Sequence, residues 1–413
     1  MRPTEAGEPG DPGDPGGPAA VAVRAVPEAD WPAAYGLAQE AFGLLGGDAA
    51  ATEEHRAQWL ASVAHSVPVG GYDGGRLVSF GRVRPYQQWF GGRPVPMAGL
   101  ASVYVTASHQ RRGVARATVR AALAAARERG LVVSALFPTT VPLYRGLGWE
   151  PAGDYTWLAV PGALLRALGP VAGVTLRPAA QGDLPGIFAV YRRLCAETNG
   201  LLERTAPQFD LSPETVLPGA LVAEGAGGIE GYARADRRRA GHHVEVEAWD
   251  VVATTPAAGR ALWFALGAGA STVETVRAKV AADDVLPLLA EPRVTVDEHL
   301  RWMLRLVDAP AAVAARGWPP GVRARVDLDV RDDELPANAG RWRLAVEDGA
   351  GTLTPGGEGT VTLGIGAFSA LYAGGADPRA LRRTGLLTCA DDAALDALAA
   401  ATAGPRARLL DYF

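Results

Sequence analysis

Val103-Tyr104-Val105 runs into Gln110-Arg111-Arg112-Gly113-Val114-Ala115, and no other stretch constrains the fold as much. The β-branched run from Leu100 to Thr106 reads as a strand, and a helix-forming stretch begins near Val114. Between them lies a polar turn with two arginines and a glycine. Backbone N–H groups at a helix start have no intrahelical partner and carry the positive end of the helix dipole. A glycine there lets a pyrophosphate approach the main chain, so the junction predicts an anion cradle.

The cradle is not of the common dinucleotide types. No GxGxxG follows the strand and no GxxxxGK with Ser or Thr occurs, which removes the main support for hydride transfer and for NTP hydrolysis. The pattern is Gln or Arg, two residues, Gly, one residue, then Gly or Ala, with Gln110, Gly113 and Ala115 at the fixed points. It resembles the acetyl-coenzyme A signature of the GNAT N-acetyltransferases.

At 413 residues the chain exceeds one ordinary core and predicts two or three domains. A hydrophobic content of 48% with 21% charge describes a soluble globular protein, and a net charge of −5 argues against a nucleic-acid binder. Only two cysteines occur, Cys195 and Cys389, far apart in sequence, which offers neither a disulfide framework nor a CxxC zinc site. The six histidines are scattered, and His242 and His243 point to opposite faces if they share a strand, so no metal site is expected. With no long apolar run and no basic-then-apolar leader, the expectation is a cytoplasmic protein. Residues 1–18 alternate Pro, Gly and acid and predict a disordered tail.

From Val21 the pattern predicts a strand, then a helix from Asp30-Trp31-Pro32 to Phe42 with Asp30 as N-cap, and a second helix over 52–64. Hairpin strands follow around 68–72 and 76–84, joined at Asp73-Gly74, then a strand over 97–106. A helix over 114–129 ends at Gly130, followed by a strand over 131–137, a short helix near 141–147 and a last strand opening at Trp149. One domain length later, Leu176-Arg177-Pro178 with Asp183-Leu184-Pro185 echoes the opening strand and helix. This second copy continues with strands near 219–224, 231–236 and 243–253, with Arg237-Arg238-Arg239 as a solvated turn. Where a cradle is due it has Thr254-Thr255-Pro256-Ala257-Ala258-Gly259-Arg260, without the fixed glycine or the arginine pair, so the second unit reads as a duplicate that lost the cofactor. From Asp297 the texture becomes alternating strands (322–330, 341–346, 359–364) between alanine-rich helices. That pattern resembles a sterol-carrier-like fold.

Three such units in this order resemble the Eis family: a GNAT domain, a degenerate GNAT domain and a sterol-carrier-protein-like C-terminal domain, an α/β (α+β) architecture. The implied boundaries are 19–160, 161–296 and 297–413, and the resemblance covers nearly the whole chain from Val21. Its most specific parts are Val103–Arg116 and Leu143-Tyr144-Arg145-Gly146-Leu147-Gly148-Trp149, where the family carries an aromatic-rich Tyr-x-x-Phe/Leu-Gly run. By position, the resemblance implies that Val103, Tyr104 and Val105 lie along the pantetheine arm. Arg111, Arg112, Gly113, Val114, Ala115 and Arg116 would hold the pyrophosphate, and Thr139 and Thr140 would complete the contact. Thr139-Thr140-Val141-Pro142 departs from the family's polar, glycine-rich turn, which affects side-chain details there.

The resemblance further implies acetyl-CoA as co-substrate, a wide site for a primary amine (aminoglycoside-like, polyamine-like or a lysine side chain), and a homohexamer. Tyr144 would be the proton donor, and the C-terminal carboxylate of Phe413 the proton acceptor. A backbone splayed at Val103–Val105 would polarise the thioester oxygen, and a tyrosine near the sulfur would protonate the leaving thiolate. The Phe413 carboxylate, with an unperturbed pKa of about 3.3–3.7, matches an amine poorly unless burial raises it. Neither cysteine adjoins the cradle, which favours direct attack over an acyl-enzyme. A rival reading is a non-catalytic coenzyme A or lipid-like ligand sensor. Ser62 with His65 lacks a third member, and Glu245 with Glu247 reads equally as an acidic substrate face or a solvated one. Trp31 and Phe42 sit on the helices that border the acceptor pocket in such folds, or simply pack in the core.

Overall fold

The computed structural model describes residues 21–43, 49–205, 207, 209–241, 243–268, 272–280 and 294–413. The tail expected at 1–18 and the residue His242 lie outside the described residues.

The first unit supplies six strands: β1 (Ala22–Ala25), β2 (Val67–Asp73), β3 (Arg76–Phe90), β4 (Arg93–Val105), β5 (Val133–Leu136) and β6 (Glu150–Pro161). Next come β7 (Thr175–Pro178), β8 (Ala220–Gly225), β9 (Gly228–Ala240), β10 (His243–Ala253), β11 (Val273–Lys279) and β12 (Thr295–Leu306). These twelve form one sheet in the order β1-β2-β3-β4-β5-β12-β6-β11-β10-β9-β8-β7. The order contains an exchange. β12 lies antiparallel to both β5 (Met303 opposite Leu136) and β6 (Leu300 opposite Tyr155), while β6 pairs with β11 (Trp157 opposite Lys279). Each unit therefore borrows a strand from elsewhere in the chain. The β12 segment, most of which the sequence pattern assigns to the third unit, runs in the large sheet.

Alternation along β3 sets the two faces of the first unit. Phe80 turns toward α1 (Trp31–Phe42) and α2 (Ala49–Ala64), in a cluster with Tyr35, Trp59 and Tyr104. Ser79 and Val83 turn the other way, where α3 (Val114–Glu128) buries Val119 and Leu123, and the short α4 (Val141–Arg145) buries Tyr144. Asp30 precedes α1 but does not cap it through its side chain. Its carboxylate accepts a hydrogen bond from the Tyr72 hydroxyl at 2.8 Å instead, because Asp30 itself has helical backbone angles and cannot fold back. Arg237, Arg238 and Arg239 lie within β9 rather than in a turn, with Arg238 paired to Glu247 across the ladder at 2.8 Å.

The helices after α4 are α5 (Gly162–Ala167), α6 (Leu184–Glu197), α7 (Pro213–Val216), α8 (Pro256–Ala268), α9 (Ala309–Ala315), α10 (Ile365–Ala373), α11 (Pro378–Arg383) and α12 (Asp392–Ala401). The last four accompany a second sheet of β13 (Ala324–Arg331), β14 (Gly340–Glu347), β15 (Ala350–Pro355), β16 (Val361–Gly364) and β17 (Leu387–Thr388), in the order β15-β14-β13-β16-β17. Helix α10 is apolar nearly all round and lies in a core that joins both sheets, with Trp302 and Leu304 of β12 meeting Phe368 and Leu371.

One charged pair is sealed in that junction. Arg305 of β12 donates to Asp332 at 2.8 and 3.0 Å, and both side chains are almost fully buried. Removing one partner of a buried pair strands the other charge, whereas replacing both with apolar residues is often neutral. Asp332→Ala is therefore expected to lower stability by about 3–5 kcal/mol, and the Arg305→Met/Asp332→Leu double variant to recover only part of that loss, because the Asp332 carboxylate also accepts from the Glu334 and Leu335 N–H groups and the Asn338 amide. Denaturant midpoints of the three proteins check it.

Candidate active site

The strand feeding the cradle is split. β4 pairs with β5 in parallel only over Met97–Gly99 against Val133–Ala135, and beyond Gly99 the two part. A bulge lies just past that point: Ala101 faces Arg82 and Tyr104 faces Phe80, leaving one extra residue in β4, with Ser102 at φ +56°. The β5-facing backbone groups of the residues that follow, Val103 and Val105 among them, have no strand partner on that side. The Tyr104 side chain does not join them. It is buried and stacked on Phe80 at 5.4 Å, with its hydroxyl donating to the Ala34 carbonyl, so only its main chain is available to a ligand.

The turn into α3 places Arg111 at φ +59° and Gly113 at φ +80°. Alternating left-handed residues turn successive N–H groups toward one concave side, the arrangement that binds anions. A Cβ built on Gly113 meets nothing within 4 Å, so the cradle has open space in front of it. Val114, Ala115 and Arg116 follow as the first helical turn, whose N–H groups have no intrahelical acceptor. Arg111 and Arg112 are exposed and make no ion pair among the described residues. Arg116 differs: its guanidinium bonds the Gly146 carbonyl at 3.0 Å and faces Glu334 at 3.4 Å, beside Arg120, which binds Glu334 at 2.6 and 2.8 Å. The carboxylate of Glu334 draws the Arg116 side chain toward the third unit and away from the concave side. Thr139 and Thr140 are exposed at the start of α4, with no hydroxyl hydrogen bond among the described residues.

Tyr144 is buried edge-on to Trp149 at 6.3 Å, and burial pushes its phenol up to about 12. It is therefore a neutral donor at ordinary pH. Phe413, the last residue of the sequence, reaches the opposite side of the split. Its ring lies 5.4 Å from that of Tyr86 and 5.6 Å from that of Phe137, and a Cβ on Gly99 would come within 2.9 Å of it. The terminal residue thus sits where β4 leaves β5.

A clamp holds it there. Arg204 binds Asp250 at 2.8 and 2.9 Å and Asp411 at 3.0 Å, all three side chains being largely buried. The Leu409 N–H donates to the Asp154 carbonyl and the Arg408 N–H to that of Asn199, both at 2.9 Å. Tyr412 stacks on Phe137 with 4.3 Å between centroids.

Sequence reasoning did not find Arg204, Asp250, Tyr86 or Phe137, since nothing local marks their convergence. It also did not find Arg82 and Arg84, which follow Phe80 at alternate positions of β3 and face Ala101 and Gly99. Arg82 is buried over Trp59 and bonds the Ser62 hydroxyl at 2.7 Å; burial first, then the neighbouring Arg84, pull its pKa down to about 10. Neither arginine has a carboxylate partner among the described residues, and the Nε of each is buried without a hydrogen bond. Ser62, considered above with His65, is thus an acceptor for Arg82 and donates to the Trp59 carbonyl. Glu247 is engaged by Arg238 and Arg277, which leaves no free acidic face at that position. Trp31 bonds the Val26 carbonyl through its indole N–H, while Phe42 is exposed and meets Tyr104 edge-on.

In the second unit, α8 occupies the place of α3, but Pro256 supplies no N–H and the Thr255 hydroxyl takes that of Ala258 at 3.3 Å. Little remains there to grip a pyrophosphate.

Comparison with known proteins agrees with this layout. Family models described as acetyltransferase (GNAT) domain match residues 22–152 and 200–306, and one described as sterol carrier protein domain matches 309–409. An uncharacterized N-acetyltransferase of Streptomyces avermitilis is 31% identical over 75% of this chain and 79% of its own length. The N-acetyltransferase Eis of Mycobacterium tuberculosis is 28% identical over 79% of this chain and 83% of that protein. A GCN5-related N-acetyltransferase structure from Kribbella flavida superposes with a TM-score of 0.83 at 34% identity, covering 95% of this chain and 99% of that one.

The seat of Phe413 can be tested without reference to chemistry. In Gly99→Val the new methyl groups collide with the Tyr86 and Phe413 rings, and the latter, at the chain end, is the one free to leave. Carboxypeptidase is expected to remove Phe413 faster from this variant than from the parent; equal rates would show that the ring is not held.

Proposed function

This chain belongs to the Eis family of GNAT N-acetyltransferases, and within that family we propose that it transfers the acetyl group of acetyl-CoA to a primary amine by direct attack. The amine nitrogen forms a bond to the thioester carbonyl carbon, the C–S bond breaks, the main-chain carboxylate of Phe413 takes the ammonium proton and the Tyr144 phenol protonates the departing thiolate. One observation carries this reading: Phe413 rests on Gly99, at the point where β4 and β5 separate. The left-handed pair Arg111 and Gly113, with Val114, Ala115 and Arg116 contributing main-chain N–H groups, supports a pyrophosphate site at the cradle. Arg111 and Arg112 are free to pair with phosphate oxygens, and Val103 to Val105 supply backbone groups to the pantetheine arm. Thr139 and Thr140 would border it. The buried, neutral Tyr144 suits a proton donor.

Charge supports one acceptor class over the others. Arg82 and Arg84 lie opposite Ala101 and Gly99 without a carboxylate partner among the described residues. A polycation brought to this point would feel the positive charge of Arg84 and of the buried Arg82 behind it, a like-charge penalty that low dielectric enlarges. This favours a singly charged amine, such as a lysine side chain or a small monoamine, over aminoglycoside-like or polyamine-like acceptors. Acetylation of a mixed amine panel, read by mass spectrometry, ranks the three classes.

Tyr144→Phe is expected to lower kcat by about a hundredfold to ten-thousandfold with acetyl-CoA affinity unchanged. The phenol is needed protonated, and burial raises its pKa to about 12. The kcat–pH profile should therefore show no loss at a pH of about 10, where an ordinary tyrosine ionises. Deleting Phe413, or adding one glycine after it so that the carboxylate moves while the ring stays, should each abolish most turnover. Full activity in the extended variant would reject the terminal base.

A further inference from the structure

On one face of β3 the fold leaves two neighbouring donors without acceptors. Arg84 is half-buried, its Nε is buried without a hydrogen bond, and its guanidinium makes no hydrogen bond or ion pair among the described residues. Tyr86, the next residue on that face, is 4% exposed, and its hydroxyl likewise bonds nothing among the described residues. Burial pushes that phenol up to about 12, so it is protonated and able to donate. Donors held out of bulk water without an acceptor cost free energy that a ligand can return.

Both groups stand beside the seat of the last residue. Arg84 lies directly opposite Gly99 in the β3–β4 ladder, and directly opposed residues send their side chains to the same face. On that face a Cβ at Gly99 would come within 2.8 Å of the Tyr86 ring and 2.9 Å of the Phe413 ring. The guanidinium carbon of Arg84 is 5.7 Å from the centre of the Tyr86 ring, which packs against Phe413 at 5.4 Å and Phe209 at 5.6 Å. Guanidinium, phenol and chain end therefore share one face at the point where β4 leaves β5. No carboxylate there answers the charge. Asp411, within electrostatic reach of Tyr86, is bound to Arg204 at 3.0 Å, and no ion pair joins Arg84 to the chain end among the described residues. Arg82 lies behind, already bonded to Ser62, and the two guanidiniums repel each other.

We infer that the amine acceptor carries a carboxylate, and that the Arg84 guanidinium and the Tyr86 hydroxyl receive it, a conclusion that rests on the acetyltransferase reading. The acceptor is then an amino acid, free or ending a peptide, rather than a plain alkylamine. One open guanidinium and one hydroxyl match the two oxygens of a single carboxylate, and such charge-assisted hydrogen bonds are stronger than neutral ones. The rings of Tyr86, Phe209 and Phe413 offer apolar contact to the methylenes between the amine and the acid. The acceptor's negative charge also relieves the repulsion between Arg84 and Arg82. It cancels a cation that, left unpaired on this face, holds down the basicity of the terminal carboxylate.

Glycine, β-alanine, γ-aminobutyrate and ε-aminocaproate, each beside its primary amide, vary the span from amine to acid and change only the group at its end. At the best-fitting span the acid is expected to exceed its amide in kcat/KM at least roughly tenfold, chiefly through KM, the worth of a charge-assisted hydrogen bond. A blocked tripeptide ending in lysine, against its amidated form, separates a peptide end from a free amino acid as the source. In Arg84→Gln the acid-to-amide ratio should fall towards one, and Arg84→Lys should keep part of it. Calorimetric binding of acid and amide gives the same ratio without turnover. Equal use of acids and amides, or a ratio that survives in Arg84→Gln, would overturn the carboxylate site and leave acetyl transfer intact. Acids that bind in preference to amides while no amine is acetylated would instead overturn the acetyltransferase reading, and with it the acid's role as acceptor.

Discussion

Everything in this molecule depends on where β12 goes. By pairing with β5 on one side and β6 on the other, it pushes β6 across to β11 and welds the two acetyltransferase-like units into one sheet. The hydrogen bonds that join them are main-chain ladders, so the units cannot move apart without exposing a row of unpaired groups. The same strand carries Trp302 and Leu304 into the third unit's core and Arg305 to Asp332. One continuous sheet spanning more than 250 residues of sequence follows from this insertion.

That continuous sheet also gives the last residues of the sequence a seat. A chain end is ordinarily frayed, because few contacts offset its conformational entropy. Here the last residues lie in a trough formed by both units. Asp154 and Asn199 accept main-chain hydrogen bonds, and Arg204 bridges Asp250 and Asp411. Burial acts against the charge on Arg204, but two carboxylates outweigh it and hold its pKa well above the ordinary value. The result positions Phe413 against Gly99 from a distance of several strands.

Much of this was legible in the residues. The run Val103–Ala115 contained its own strand, polar turn and helix start, because each depends on local propensity, and the structure adds that Arg111 and Gly113 are left-handed there. The altered copy at Thr254–Arg260 was equally visible, and the structure adds that Pro256 brings no N–H to the start of α8 and that the Thr255 hydroxyl accepts from Ala258. Side-chain destinations were less accessible. Arg116 belongs by position to the cradle yet turns to Glu334, more than 200 residues away. Asp30 looked like a cap and instead receives the Tyr72 hydroxyl. In both cases a partner supplied by the fold outcompeted the local one.

Sequence alone determined the units, their order, the strand–turn–helix at Gly113 and its altered copy at Thr254–Arg260, since periodicity, turn chemistry and helix starts are properties of neighbours along the chain. Tertiary structure decided the rest: which strands pair, where the last residue rests, and what surrounds Arg82 and Arg84. Those outcomes depend on register and on desolvation by residues distant in sequence. A charge acquires its meaning only when the fold has chosen its partners or withheld them.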